Sequence, residues 1–265
     1  MGDDAEELTP GAHAAELDEV IDELSPVTLE ELDERSALRR RVDTKYVVPL
    51  GRLPEIVRGL SDSYDVLQID GLRRFRYESV YFDTSGLRCF HDHVEGRRPR
   101  FKARSRFYRD TGACFFEVKV RLEDETIKRQ CPYEREAHGA LTDAARGFVE
   151  ETLREVAGER PPEDLEPTLS TSYRRVTLGA SEGGQRATID LAVQMMTMDD
   201  RTVTLRDGLA LVETKSERGE GPVDDRLRDA ECEPISISKY RLGVALLLTD
   251  DPEAARNQAV RSYFA

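Results

Sequence analysis

The stretch from Arg100 to Tyr108 reads RFKARSRFY and alternates between two kinds of side chain. Every second residue can bind phosphate: Arg100, Lys102, Arg104, Arg106 and Tyr108. The residues between them are mostly apolar. Because successive side chains of a β-strand point to opposite faces, this period of two predicts a strand with one cationic face and one apolar face.

The same alternation recurs in other segments that have the character of strands. Charged residues two or four positions apart, which share a strand face, form four further sets: Arg41, Asp43 and Lys45; Glu117, Lys119 and Arg121; Arg186 and Asp190; Glu213 and Lys215. An ordinary antiparallel sheet with one solvated face also alternates polar and apolar residues. Like charges along one face repel each other, however, unless an anion lies among them. The pattern therefore favours a surface that binds a polyanion.

The use of lysine points the same way. Among 39 basic residues only six are lysine, and each lies in a strand-like segment or in the Ser238-Lys239-Tyr240 triplet: Lys45, Lys102, Lys119, Lys128, Lys215 and Lys239. An ammonium group is a compact point charge, whereas guanidinium is a planar fork. Positions that contact a transferred phosphoryl group at close range can require the compact cation.

The charge of the chain is unevenly distributed. The formal net charge is −14, but residues 1–35 carry 13 acidic residues and the single base Arg35, so the remaining 230 residues are nearly neutral. A domain that binds nucleic acid through its overall charge would be strongly basic. The composition therefore excludes a generic nucleic-acid binder.

Cysteine spacing and hydropathy bear on the compartment. Cys89, Cys114, Cys131 and Cys232 form no CxxC pair and have no metal-finger spacing, which predicts free thiols in a reducing compartment. The N-terminus has no apolar signal region. The longest apolar run, 244–248, is far shorter than the ~20 residues of a spanning helix. We expect a cytoplasmic protein that does not insert into a membrane.

The order of predicted elements indicates an α+β fold with an antiparallel sheet. Strands are predicted at 41–48, 64–69, 74–83, 99–108, 114–121, 125–130, 167–178, 186–198, 202–206 and 209–216. Helices are predicted at 13–24, 28–35, 52–60, 139–156, 223–231, 237–249 and 252–263. We expect an acidic N-terminal arm at 1–35, partly disordered or helical, a main domain at 36–250 and a C-terminal tail or helix at 251–265.

Seven short motifs resemble those of one known family. They are RVDTKY (41–46), SVYFDT (79–84), RSRFY (104–108), FEVK (116–119), SYRR (172–175), VETK (212–215) and SKY (238–240). Together they resemble the VTC domain, the polyphosphate polymerase module of the triphosphate tunnel metalloenzyme superfamily. The resemblance covers about residues 36–248 and implies a closed, eight-stranded antiparallel barrel with helices packed outside.

The resemblance also implies roles for individual residues. Catalytic contacts to phosphate would come from Lys45, Arg104, Arg106, Lys119 and Lys239. Substrate binding would involve Arg100, Lys102, Tyr108, Lys128, Arg174, Arg175, Arg186, Lys215 and Ser238. Glu213 would bind a divalent metal, Mn²⁺ or Mg²⁺. The implied ligands are ATP and polyphosphate, with a membrane protein as a possible further partner.

The resemblance implies an ATP-dependent polyphosphate polymerase. One departure concerns the E-x-E-x-K motif of hydrolytic tunnel enzymes, because Arg41 and Asp43 stand where its two glutamates would be. Fewer carboxylates make the site more cationic, which favours long polyphosphate as the ligand. Two alternatives remain open: a metal-dependent inorganic or nucleoside triphosphatase, and a non-catalytic sensor that binds polyphosphate or nucleotide.

Overall fold

The computed structural model describes residues 10–35, 42–123, 125–249 and 261–265. Its strands are β1 (Pro26–Val27), β2 (Val42–Pro49), β3 (Tyr64–Leu67), β4 (Phe75–Asp83), β5 (Arg100–Tyr108), β6 (Cys114–Arg121), β7 (Thr126–Pro132), β8 (Glu166–Ala180), β9 (Arg186–Thr197), β10 (Thr202–Thr204), β11 (Leu209–Ser216) and β12 (Pro234–Ile235). Its α-helices are α1 (Pro10–Glu23), α2 (Leu29–Arg35), α3 (Leu53–Arg58), α4 (Arg88–Val94), α5 (Asp143–Ala157), α6 (Pro222–Asp229) and α7 (Lys239–Leu247).

The strands form one large sheet. Nine of them follow each other as hydrogen-bonded neighbours in the order β12-β2-β11-β9-β8-β4-β5-β6-β7, and all pairs on this path are antiparallel. The short strands β1, β3 and β10 pair off the path, with β1 parallel to β3. The predicted α+β class with an antiparallel sheet and flanking helices is confirmed.

The closed eight-stranded barrel is not confirmed. The path of described pairings begins at β12 and ends at β7, and these two strands do not pair with each other within the described ranges. Both outer strands contain a proline, Pro234 in β12 and Pro132 in β7. Proline has no N–H to donate to a further strand, so it is suited to a sheet edge.

The outer face of the sheet is apolar and covered by helices. Helices α1, α3 and α6 cover one part, where Tyr46, Val212 and Ile189 lie in a buried cluster. Helix α5 covers the other part, over Phe116 and Val118. Because these residues alternate with charged ones along β2, β6, β9 and β11, the opposite face presents the charges.

The inner face is partly charged and partly apolar. Its apolar part contains Val47, Tyr77, Tyr173 and Leu211, against which residues of α7 such as Leu242 pack. A Cβ atom added to Gly243 would lie 2.5 Å from Leu169 and 3.1 Å from Met195. Such close approach requires glycine, and it brings α7 down onto β8 and β9.

The acidic N-terminal segment packs against the body over its described residues. In α1, Leu17 and Ile21 are fully buried in the outer-face core. In α2, Leu32 is fully buried and lies where a Cβ atom on Gly179 would be only 2.1 Å away. The expected helices in this segment are therefore present and packed. Residues 1–9 lie outside the described residues, as do 36–41 and most of the predicted helix 252–263.

One helix was missed from the sequence. Helix α4, which contains His91 and His93, was not among the predicted helices. Its N-terminus is held by Asp83, whose Oδ1 and Oδ2 accept hydrogen bonds from the N–H groups of Cys89 (2.8 Å) and Phe90 (3.0 Å). All four cysteines are free, as predicted.

Candidate functional site

The charged part of the inner face forms a pocket. Strands β2, β4, β5, β6, β8 and β11 and the start of α7 line it, with the side chains of Asp43, Lys45, Tyr81, Lys102, Arg104, Arg106, Glu117, Lys119, Tyr173, Arg175, Glu213, Lys215, Ile237, Ser238 and Lys239. Neighbouring strands place these residues in register, since Lys45 lies opposite Glu213 and Arg104 opposite Glu117. The sheet must bend for strands so far apart on the path to share one pocket.

The structure brings together ten of the residues that the sequence singled out. They are Lys45, Lys102, Arg104, Arg106, Lys119, Arg175, Glu213, Lys215, Ser238 and Lys239. This set contains all five proposed catalytic residues and the proposed metal ligand.

Five of the proposed substrate-binding residues lie outside the pocket lining. Arg174 is exposed, and Tyr108 packs against the Tyr77 ring. Arg100 donates to the carbonyl oxygen of Arg97 (3.2 Å). Arg186 is taken by α2, where its guanidinium donates to the Leu32 carbonyl (3.2 Å) and to Asp33 (2.9 Å). These four residues are not part of the pocket lining.

Lys128 lies on β7 at the side of the pocket, on the same face of the sheet as Lys119, which it opposes. Its Nζ lies 2.7 Å from Oε1 of Glu117, whose side chain is fully buried, and Arg104 holds the other carboxylate oxygen through Nε at 2.6 Å. Burial alone raises the pKa of Glu117, but the positive charges of Arg104, Arg106 and Lys128 outweigh it and hold the pKa well below its usual range. Glu117 therefore stays ionised.

A second buried carboxylate was not predicted as a site residue. Asp190 accepts two hydrogen bonds from Arg175, at 2.6 and 2.8 Å, and one from Nζ of Lys239 at 2.5 Å. It lies on β9 at a position that the period-two pattern had already placed on the charged face. That pattern was the available signal, and Asp190 orients two of the pocket cations.

Four pocket cations lack a carboxylate partner in the part of the chain that the structure describes. Among the described residues, Lys45, Lys102, Arg106 and Lys119 form no ion pair within 4 Å, although the other pocket cations do. Arg106 is 8 % exposed, and its described side-chain hydrogen bond goes to Ser79 Oγ, at 3.3 Å. Buried or half-buried cations without counter-charges are costly, so the pocket is built to receive an anion.

Burial and the neighbouring positive charges lower the pKa values of two of these lysines. Burial, and then the charges of Arg241, Arg104 and Lys45, lower the pKa of Lys102 to about 7. The pKa of Lys119 is also lowered well below its usual value, first by burial and then by Arg104 and Lys215. An anion placed among these groups would reverse the effect and favour their charged forms.

Comparison with known proteins identifies the family. The family model described as the VTC domain matches residues 40–248, which is most of the chain. The chain belongs to the VTC domain family. The motif resemblance is thereby confirmed. No curated protein matches this VTC domain significantly.

Several solved structures are similar to this VTC domain. They include a putative adenylate cyclase from Bacillus halodurans, with 10% identity, a TM-score of 0.47 and coverage of 79% of this chain and 98% of that one. Another is a putative adenylyl cyclase from Hippeastrum, whose structure is described as revealing a dominant triphosphatase activity, with 15% identity, a TM-score of 0.45 and coverage of 79% and 97%. Similarity at this level supports no conclusion about activity.

The carboxylates of the VTC domain limit how it could hold a metal. No group of three or more His, Cys, Asp or Glu side chains is arranged to bind a metal in the described ranges. Glu213 lies in the pocket with Lys215 Nζ 3.3 Å from its Oε1. Mg²⁺ commonly takes only one or two protein carboxylates and completes its shell with phosphates and water. The donor set therefore fits a divalent ion held jointly by Glu213 and a bound phosphate chain.

Hydropathy adds one further finding about the VTC domain. No helix among the described residues combines the length and the apolar character that a membrane crossing needs. The expected cytoplasmic location remains a prediction.

Phosphate binding by the VTC domain should weaken as the pH rises through the pKa of Lys102. A bound anion stabilises protonated Lys102, so above pH 7 binding must take up a proton. One such proton weakens affinity up to about tenfold per pH unit. Titration calorimetry with tripolyphosphate between pH 7 and 9 would measure this slope. The slope should be shallower in Lys102→Arg, whose guanidinium stays charged; equal slopes would contradict the assignment.

Proposed function

We propose that this VTC domain is an ATP-dependent polyphosphate polymerase. It transfers the γ-phosphoryl group of ATP to the end of a polyphosphate chain, with the help of a divalent metal ion. The observation that carries the proposal is a set of four pocket cations that pair with no carboxylate in the described part of the chain, next to the carboxylate of Glu213: Lys45, Lys102, Arg106 and Lys119. The family to which the chain belongs supports the same activity.

The pocket cations suit the charge distribution of phosphoryl transfer. The transition state is loose, with negative charge spread over the equatorial oxygens, so catalysis is mainly positioning and charge neutralisation. Arg106 and Lys119 lie on neighbouring strands and can contact the transferred group from one wall. Lys45 approaches from β2, and Lys239 lies at the start of α7. Together they would align donor and acceptor phosphates in the pocket.

The state of the carboxylates favours a phosphate acceptor over water. Glu117 is paired with Arg104 and Lys128, Asp190 with Arg175 and Lys239, and Glu213 with Lys215. The pKa of each is lowered, because the nearby cations outweigh the effect of burial. Such weak bases would deprotonate water poorly. The end of a phosphate chain is already anionic and needs no base.

A metal ion would be held by Glu213 together with phosphate oxygens of the substrate. When bound, it would neutralise charge on those oxygens and assist departure of ADP. The proposed ion is Mn²⁺ or Mg²⁺. The carboxylate of Glu213 remains ionised at neutral pH, because Lys215, Lys45 and Arg175 outweigh burial and keep its pKa well below its usual range.

The purified protein should form polyphosphate when it is incubated with ATP and Mn²⁺ or Mg²⁺. Products would be separated by length on a gel and stained for polyphosphate, while ADP and orthophosphate are measured in the same samples. Long chains with matching ADP support the polymerase. Orthophosphate as the sole product would instead identify a triphosphatase.

A control separates binding from catalysis in this assay. Tripolyphosphate that binds tightly without turnover, across several divalent ions, would contradict the polymerase and identify a sensor. The ligands of the proposed polymerase are ATP and polyphosphate. No feature of the described residues supports the expected membrane-protein partner.

A further inference from the structure

A buried hydrogen bond lies next to the pocket and joins two residues that have so far been given no functional role. Asp83, at the end of β4, is completely buried, and Tyr240, in the first turn of α7, is 1 % exposed. The Tyr240 hydroxyl donates to Oδ2 of Asp83. The two residues lie 157 positions apart in sequence, so the contact joins distant elements.

Asp83 collects donors from three elements. Its Oδ1 accepts from the N–H groups of Thr84 and Cys89, each at 2.8 Å, and its Oδ2 from the N–H of Phe90 at 3.0 Å. Tyr240 supplies the fourth hydrogen bond. A carboxylate is an acceptor only, and four donors saturate its two oxygens well. Asp83 thus ties β4, the start of α4 and the start of α7 to one point.

Tyr240 is adjacent to two residues of the pocket. Ser238 and Lys239 precede it and line the pocket, while its own ring points into a buried cluster with Tyr81, Phe90 and Leu169. Ser238 Oγ accepts a hydrogen bond from Lys102 Nζ at 3.1 Å. The position of Tyr240 therefore determines where the side chains of Ser238 and Lys239 lie in the pocket.

The ring of Tyr240 also contacts the pocket wall. It packs against the ring of Tyr81 with centroids 5.1 Å apart, and the Tyr81 hydroxyl accepts from Arg104 at 2.9 Å. Lys102 Nζ lies 6.0 Å from the centre of the Tyr240 ring. Burial, and then the charge of Asp83, raise the pKa of Tyr240, so that its hydroxyl keeps the proton that it donates. Removal of the hydroxyl alone leaves the ring contacts in place.

We propose that Asp83 and Tyr240 are positioning residues that hold Ser238 and Lys239 against the phosphate ligand. The proposal rests on the proposed function only in that it takes the pocket to be a phosphate site. Neither residue contacts the ligand. They act by fixing the start of α7. The middle of the helix is held separately, by the close packing of Gly243 against Leu169 and Met195.

The test compares two buried tyrosines. Tyr240→Phe deletes the hydrogen bond to Asp83, which keeps three other donors, so the fold should persist. Tyr46→Phe is the matched control, because Tyr46 is also 1 % exposed and its hydroxyl donates to a buried aspartate, Asp224, at 2.8 Å on the outer face. Titration calorimetry with tripolyphosphate, without nucleotide or metal, gives the Kd of each variant, and thermal unfolding gives the Tm.

We expect Tyr240→Phe to weaken tripolyphosphate binding about tenfold, a typical effect of removing a residue that orients a ligand-binding group. Tyr46→Phe should lower the Tm comparably and leave the Kd unchanged. In a Lys239→Met background the effect of Tyr240→Phe should be smaller, because one of the two side chains through which it acts has been removed. The same series with Asp83→Asn serves as a second probe of the contact.

Several results would overturn the proposal. An unchanged Kd in Tyr240→Phe would do so, as would an equal loss with and without Lys239. If neither Tyr240→Phe nor Asp83→Asn folds, the contact serves stability and not positioning. A wild-type protein that fails to bind tripolyphosphate would overturn both this proposal and the polymerase. A protein that binds tripolyphosphate but makes no polymer overturns the polymerase alone.

Discussion

Glu213→Gln should reduce polyphosphate formation from ATP about a thousandfold, because loss of metal-assisted charge neutralisation in phosphoryl transfer costs several kcal/mol. The amide has the size of the carboxylate but no charge to offer a cation. Among the described residues, Glu213 pairs with Lys215, at 3.3 Å, whereas Glu117 and Asp190 each pair with two cations. Gel analysis of the products over a Mn²⁺ titration measures the effect.

A binding measurement accompanies the activity of Glu213→Gln. Electron paramagnetic resonance of Mn²⁺ in the presence of tripolyphosphate should show weaker retention of the ion by the variant. Glu155→Gln is the control, since Glu155 lies on α5 and pairs with Arg129 on the surface, at 2.7 Å. Full polymerase activity in Glu213→Gln would refute the metal-binding role, whatever the control shows.

Glu117→Gln should lower the free energy of unfolding by about 3 kcal/mol, because removal of one partner leaves buried charge uncompensated. Arg104 in the pocket would lose its counter-charge, as would Lys128 on the neighbouring strand β7. The exposed pair of Glu155 and Arg129 has the same chemistry in contact with solvent. Glu155→Gln should therefore change stability by less than about 1 kcal/mol. Urea denaturation of the two variants measures the contrast, and equal effects would contradict it.

The same glutamate makes stability depend on pH. The folded-state pKa of Glu117 is lowered, so its contribution is complete above the pKa of the unfolded chain and is lost as the pH falls. The slope of stability against pH in the acid range should be smaller in Glu117→Gln. Tripolyphosphate should also recover more stability in this variant than in the wild type, because the cations freed by the substitution bind it.

Much of the site could be predicted because side chains alternate along strands. The run from Arg100 to Tyr108 places Lys102, Arg104 and Arg106 in the pocket, as the period of two requires. The alternation is less informative at the end of this run. Tyr108 has the right parity, but it packs among tyrosines, because parity specifies a face and not a position along it.

The contacts of Arg186 could not be predicted from the alternation of residues along its strand. Its strand position faces inward, opposite Lys215, yet its guanidinium is bound by Asp33 and by the backbone of α2. Leu32 anchors that helix against Gly179, a contact between residues 147 positions apart. Hydrophobic periodicity locates a helix but does not tell which part of a sheet it will cover.

The closed barrel was not confirmed and helix α4 was missed, each for its own physical reason. Closure depends on pairing between the first and last strands, and strand count does not decide it. Helix α4 has only seven residues, too few for a clear helical period. Its N-cap residue, Leu87, makes no side-chain cap hydrogen bond, so the usual sign of a helix start was missing from the sequence.

The concentration of cations inside a chain with net charge −14 has a kinetic consequence. Since the pocket holds more cations than carboxylates, the rest of the surface is more negative than the whole molecule. A polyanion approaching from a distance is repelled and is attracted only at the mouth of the pocket. Added salt screens the far field within roughly 10 Å at 0.1 M. Moderate ionic strength can thus speed the encounter while it weakens the complex, the reverse of ordinary electrostatic steering.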